Sequence, residues 1–231
     1  MILADSAANP RTFPAEDACS LEETYPYLLQ ARFENVMFWH NIMSNVTTDK
    51  ICSIAISYLN QWKPDVIILC SGINDARPEG IPETIKNLIS YIFFPFVIIE
   101  KLFPPLRGVY KKCLRLLEHK IFIKIISGYR VKPSAFKRTL KRLKLIFNEA
   151  DIYCLEILSA DKYEMQRPGA ISRKKKYNAI LQNEFEKNFL KIEHLIKNNS
   201  GFNTDSIHLN KYGHKIIFKE LEKKILNNYT E

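Results

Sequence analysis

Three short segments carry side chains suited to one kind of chemistry. Ser6 closes the run Ala4-Asp5-Ser6. A serine hydroxyl is a poor nucleophile and needs a general base beside it. His208 is a candidate base, because an unperturbed imidazole titrates near pH ~6.5. Asp205, three residues earlier in Asp205-Ser206-Ile207-His208, can orient the imidazole and stabilise its charged form. An attacked carbonyl develops an oxyanion that requires fixed donors. The side-chain amide of Asn74, within Ser71-Gly72-Ile73-Asn74-Asp75, and the Ser6 N–H can supply two of them. Each segment alone also has an ordinary reading: a turn or helix cap at Asp5-Ser6, a turn at Gly72–Asp75, a cap with a packed histidine at 205–208. Their joint order along the chain is far more specific than any one of them.

Those side chains have to be delivered by the surrounding elements. Met1–Ala4 reads as a strand running straight into Asp5-Ser6. Val66–Cys70 is a short, all-apolar, mostly β-branched run, as expected of a strand buried on both faces, and it ends at Ser71-Gly72. Strands are also expected at Val36–Trp39, Ile121–Ile126 and Asp151–Leu155. Helices are expected over Leu21–Phe33 with a kink at Pro26, from a Thr47 or Thr48 cap through Leu59, from Pro133 onward with Phe136, Leu140, Leu143 and Phe147 on one face, over Arg173–Lys197, and over Tyr212–Leu226. Strands alternating with helices predict a parallel sheet covered on both faces. The expected fold is therefore an α/β three-layer sandwich with about five parallel strands, read as a single domain over 1–231 with a helical insert near 80–119. Ligands bind at the carboxyl edge of such sheets, where Ser6 and Asn74 are expected to sit.

The 231 residues are 46% hydrophobic and 26% charged, which excludes a disordered or collagen-like chain. The net charge is +9, and residues 107–144 hold 13 Lys/Arg against one acid, Glu118. Lys137, Arg138, Lys141 and Arg142 fall on the polar side of an amphipathic helix. A solvated face is the plain reading; peripheral contact with an anionic surface is the functional one. No nucleic-acid-binding motif supports a nucleic-acid partner. The apolar run Leu88–Ile99, twelve residues with Pro95 inside it, is shorter than the ~20 that span a bilayer. The five cysteines are odd in number and scattered, with no CxxC pair, so neither a disulfide framework nor a zinc site is indicated. Reduced thiols and an opening run broken at Asp5 make cytoplasmic location the expectation. His40, His119, His194 and His214 show no metal-ligand spacing, and Arg77, just after Asn74-Asp75, is a candidate contact for an anionic substrate group.

The three segments together resemble the SGNH hydrolases, the GDSL-type esterases and lipases, over nearly the whole chain. Ala4-Asp5-Ser6 stands where that family has Gly-Asp-Ser. Gly72, Asn74 and Asp75 match its Gly-x-Asn-Asp block, and Asp205 with His208 matches its Asp-x-x-His block. Ala4 departs from the family glycine. A second-block glycine, whose N–H serves the oxyanion in the family, has Asn45 of Ser44-Asn45-Val46-Thr47-Thr48 as its nearest counterpart, and Asn tolerates left-handed backbone angles. The resemblance implies a flavodoxin-like sandwich. It also implies ester hydrolysis without metal or organic cofactor, with Ser6 as nucleophile, Asp205 and His208 completing a triad, Ser6, Asn74 and Asn45 as oxyanion donors, and Gly72 and Asp75 in support. The implied substrate is a small-molecule or glycan ester, an O-acetyl group on a carbohydrate being favoured. Longer acyl chains, as for a lipase, lysophospholipase or thioesterase, and a catalytically silent glycan-binding module are the alternatives.

Overall fold

The computed structural model describes residues 1–59, 62–78, 129–167 and 169–229. Its centre is a five-stranded sheet with every pairing parallel. The strands are β1 (Ile2–Ala4), β2 (His40–Ile42), β3 (Val66–Cys70), β4 (Asp151–Leu155) and β5 (Phe189–Leu190), in the spatial order β2-β1-β3-β4-β5. The helices are α1 (Tyr25–Arg32), α2 (Thr48–Leu59), α3 (Ile73–Ala76), α4 (Pro133–Ile146), α5 (Lys162–Gln166), α6 (Ala170–Phe185), α7 (Glu193–Asn198) and α8 (Lys211–Tyr229).

Side chains alternate across a strand, so each strand feeds two cores. Leu3, Ile67, Leu69, Ile152 and Cys154 point to one face and pack with α2, α4 and α6 through residues such as Ile51, Leu140 and Leu181. Ile2, Ala4, Ile68, Cys70, Tyr153 and Leu155 point to the other face and pack with α1, α7 and α8 through Leu29, Ile196 and Ile217. This is the three-layer α/β/α sandwich expected from the alternation of elements. The chain runs from β1 out to β2 on one side and returns to β3 on the other. The order of strands therefore reverses at β1, and a crevice opens there at the carboxyl edge.

β3, β4 and the start of α4 at Pro133 fall where the sequence places them. Other elements differ. The apolar run 36–39 is not the second strand: Val36 and Met37 are exposed, and the strand is His40–Ile42. Pairing of His40, Asn41 and Ile42 with Ile2, Leu3 and Ala4 decides that position, not local hydrophobicity. Pro26 does not kink a helix spanning 21–33; it lies in the first turn of one that begins at Tyr25, where its missing N–H costs nothing. The expected helix over 173–197 ends at Phe185. Glu186 has φ 41°, a 3-10 turn follows, and Phe189–Leu190 pairs with Cys154–Leu155 to add the fifth strand before α7. The expected strand at 121–126 and the insert near 80–119 lie outside the described residues. So does most of the basic 107–144 segment; within its described part Lys137, Arg138, Lys141 and Arg142 are exposed, as a solvated face requires. Cys19, Cys52, Cys70 and Cys154 are free and buried. Among the described residues no helix is long and apolar enough to cross a membrane.

The loop that carries 205–208 is clamped to the start of α8. Asn210 Oδ1 accepts the Tyr212 and Gly213 amides, an N-terminal cap, while its Nδ2 donates to the Ser200 carbonyl at 2.7 Å. Gly213 lies so close to Gly201 that a Cβ on it would stand 2.2 Å from the Gly201 carbonyl oxygen. Backbone cannot yield there as a side chain can. Gly213→Ala should therefore lower stability by about 1–3 kcal/mol, a strained packing change of the overfilled type, read as a lower urea midpoint at unchanged m-value.

Candidate active site

Chain direction brings the first two segments together. β1 and β3 pair with Ala4 opposite Cys70. Asp5 continues the ladder by donating its N–H to the Cys70 carbonyl at 2.9 Å. Asp5 then turns the chain: its carboxylate accepts the Ala7 N–H at 3.0 Å and caps the 3-10 turn Ser6–Ala8. Ser6 thus opens that turn at the sheet's carboxyl edge, where its own N–H has no partner inside the turn. The third segment arrives from 202 residues away. Ser6 Oγ lies 2.9 Å from His208 Nε2. His208 Nδ1 lies 2.5 Å from Asp205 Oδ2. The other oxygen of Asp205 accepts the Ile207 and His208 amides at 3.0 and 2.9 Å, which fixes the carboxylate beside the ring. Partial burial pushes the Asp205 carboxyl up, but the hydrogen bonds from the His208 ring and from the two amides outweigh it. The carboxyl sits well below the usual carboxylate range and stays ionised.

Asn74 lies in α3, directly after β3, and is buried. Its Nδ2 makes no hydrogen bond. A buried amide donor left unpaired costs about 1–3 kcal/mol, so such a group calls for a ligand. Gly72, with φ 124°, turns the chain from β3 into α3, and a Cβ there would also stand 2.6 Å from Ile157 Cδ1. Asn45 has φ 57°, a left-handed angle that Asn tolerates better than most residues. Arg130 holds it, donating to Asn45 Oδ1 at 3.1 Å and to its carbonyl at 3.0 Å. Asn9, three residues past Ser6, donates to Ser44 Oγ at 2.9 Å and ties this turn to the loop after β1.

Asp75 is buried and does not face the Ser6–His208 pair. Its Oδ2 accepts the Thr48 N–H and the Thr48 hydroxyl, both at 2.9 Å, and Thr48 Oγ1 lies 2.8 Å from Ser71 Oγ. This knot fastens the start of α2 to the turn that carries Asn74. Arg77 ends α3, half-buried, with its charge acting on Tyr163.

The sequence reading missed two residues that the structure places here. One is the buried Asp5 carboxylate as the brace of the turn that carries Ser6. The other is Arg11, five residues past Ser6, whose guanidinium touches His208 Nε2. Its only signal in the sequence is proximity to the candidate nucleophile within one loop. Among the described residues no cluster of His, Cys, Asp or Glu could hold a metal ion.

An all-parallel sheet in the order 2-1-3-4-5, with a serine after its first strand and an Asp-x-x-His segment before its last helix, is an SGNH-hydrolase-type arrangement. Solved structures agree. The chain is similar to the psychrotrophic esterase EstA from Pseudoalteromonas sp., solved inhibited by monoethylphosphonate, at 16% identity and TM-score 0.56, covering 100% of this chain and 97% of that one. It is similar to a lipolytic G-D-S-L family protein from Veillonella parvula at 12% identity and TM-score 0.58, covering 100% and 97%. It is similar to an acetylxylan esterase from Geobacillus stearothermophilus at 12% identity and TM-score 0.56, covering 97% and 92%. At such identities the likeness is one of fold. No protein-family model and no curated protein sequence matches the chain. The chain has the SGNH-hydrolase-type fold.

Burial raises both Asp5 and Asp75 from the ordinary 3.8 to about 6, against the hydrogen bonds that each accepts. Between about pH 4 and 6 the folded state therefore holds protons on these two groups that the unfolded state has lost, and their contribution to stability falls as pH rises through that window. Asp205 works the other way: its depressed carboxyl adds stability that is lost as pH falls below about 4. Buried His214, lowered from 6.5 to about 3, also opposes Asp5 and Asp75, because the unfolded chain protonates it in this window and the folded chain does not, so the clean readout is the difference between wild type and a carboxylate variant. From pH 4 to 6 the unfolding free energy of Asp75→Asn, from urea titrations, should gain on that of the wild type by up to about 3 kcal/mol, the worth of a two-unit shift.

Proposed function

We propose that the protein is a serine ester hydrolase. The observation that supports this most directly is the unbroken line from Ser6 Oγ through both nitrogens of His208 to Asp205, closed between segments about 200 residues apart. With Asp205 ionised, Nδ1 carries the hydrogen and Nε2 offers a lone pair to the Ser6 hydroxyl. Ser6 Oγ attacks the acyl carbonyl as its proton passes to Nε2. Charge collects on the carbonyl oxygen, and the unpartnered Asn74 amide and the Ser6 N–H, with the Asn45 N–H, stabilise it. The imidazolium then gives its proton to the leaving alcohol, and water, activated in the same way, releases the acyl group from Ser6. The substrate favoured is a small acyl ester, an O-acetyl group on a carbohydrate. The acetylxylan esterase among the similar structures supports that choice by analogy of fold.

A fluorophosphonate probe should label Ser6 in the wild type and fail to do so in His208→Ala, read by peptide mass spectrometry. Absence of the adduct from folded wild type would overturn the reading and favour a binding module. On p-nitrophenyl acetate, Ser6→Ala and His208→Ala should lose up to ~10⁶-fold in kcat. Asp205→Asn should lose less, ~10⁴-fold. Asn74→Ala should lose about 10²–10³-fold, the ordinary cost of one oxyanion donor. Equal turnover in Asn74→Ala and wild type would remove Asn74 from the oxyanion site.

A further inference from the structure

Arg11 has no place in the scheme above, yet it touches the reacting nitrogen. Its backbone is fixed by a two-way bridge to Cys19: Arg11 N–H to the Cys19 carbonyl at 3.1 Å and Cys19 N–H to the Arg11 carbonyl at 2.6 Å. From there the guanidinium reaches His208, with Nη2 against Nε2. Nε is buried and makes no hydrogen bond. Among the described residues no carboxylate forms an ion pair with it: Asp205 is engaged at the far side of the His208 ring, and Asp17 Oδ2 accepts the Thr204 amide at 3.1 Å. A cation in this position is poorly used. It donates to a nitrogen whose single lone pair the Ser6 hydroxyl also needs, and a guanidinium cannot accept a hydrogen bond in return.

Position states what it is for. In acyl transfer Nε2–H protonates the oxygen of the departing alcohol, while the carbonyl oxygen turns to the donors on the other side. A group in contact with Nε2 therefore lies against the alcohol portion of the ester, not the acyl portion. We propose that Arg11 binds an anionic group on the alcohol portion of the substrate, a carboxylate or a phosphate. This rests on the hydrolase reading above and narrows it to acyl esters of acidic alcohols, such as O-acetylated acidic sugars. The fork of Arg matches either oxyanion bidentately, and such charge-assisted bonds are among the stronger ones a site can make. Turning to the substrate also takes Arg11 off Nε2 and leaves that lone pair to Ser6, so binding of the correct alcohol readies the base. The loop that carries Arg11 is also tied to the segment leading to His208, because the Phe13 carbonyl accepts from Asn203 Nδ2 at 3.5 Å.

The test compares kcat/KM for matched acetyl esters: O-acetylated methyl glucuronoside against O-acetylated methyl glucoside, and O-acetylated glucose 6-phosphate against O-acetylated glucose. A third pair, monoethyl succinate against ethyl butyrate, moves the charge to the acyl side. Wild type should prefer the charged alcohols by tenfold or more and show no preference for the charged acyl group. The larger of the two alcohol ratios tells carboxylate from phosphate. Arg11→Gln should bring those ratios to about one, and Arg11→Lys, which keeps charge without the fork, should fall between. A ratio near one in wild type, a ratio that survives in Arg11→Gln, or a preference confined to the acyl-side charge overturns the proposal. Calorimetric binding of methyl glucuronoside, methyl glucoside and inorganic phosphate to wild type and Arg11→Gln separates the two readings. Charge-selective, Arg11-dependent binding without any turnover or Ser6 labelling would sink the hydrolase reading and keep the anion site. Turnover with neither rate nor binding preference would do the reverse.

Discussion

Everything at the active edge hangs on the backbone ladder around β1. That strand has three residues, all fully buried, and among the described strands it alone pairs with both β2 and β3. The ladder runs past the strand itself, through Met1 to Ile68, Ala4 to Met43 and Asp5 to Cys70. A backbone so held cannot slip: a shift of one residue would reverse which side chains meet each core. It also sets where the chain leaves the sheet, and hence where Ser6 begins its turn. A short strand serves because neighbours on both sides satisfy its amides and carbonyls, and because Ile2, Leu3 and Ala4 each contribute to one of the two cores.

Two buried carboxylates brace this edge. Asp5 binds the turn that presents Ser6, and Asp75 binds Thr48 and so draws α2 onto the turn that presents Asn74. Burial raises both toward the physiological range, so each is retained at a cost in stability near neutral pH. Asp205 is different in kind. It is less buried than the other two, richly hydrogen-bonded and held well below the usual carboxylate range. Three aspartates within one edge thus hold separate tasks by environment alone: two shape the turns and one carries charge toward His208.

Those assignments differ in how legible they were. Val66–Cys70 and Asp151–Leu155 could be read directly, because strands buried on both faces must be continuously apolar. The amphipathic face of α4 could be read from its spacing. β2 and β5 could not. β2 is an edge strand whose residues are only half-buried, so its sequence carries no strong pattern, and the nearby apolar run 36–39 is in the connection. β5 is two residues long and follows a helix with no Gly or Pro to mark the break; only pairing with β4 makes it a strand. Arg11 was invisible for a related reason. Nothing within its loop distinguishes it from a surface arginine until His208 is brought beside it.

Composition and spacing alone set the alternation of elements, the two-sided burial of the sheet and the residue types able to do acyl-transfer chemistry. These are local facts of period, composition and spacing, and local physics reads them. Only the folded arrangement brings Ser6, His208 and Asp205 into one line, leaves the Asn74 amide without a partner and sets Arg11 against His208 Nε2. Those are relations between segments as much as 202 residues apart. They exist only after the parallel strands are ordered β2-β1-β3-β4-β5, because that order sets which loops share a crevice at the sheet's carboxyl edge.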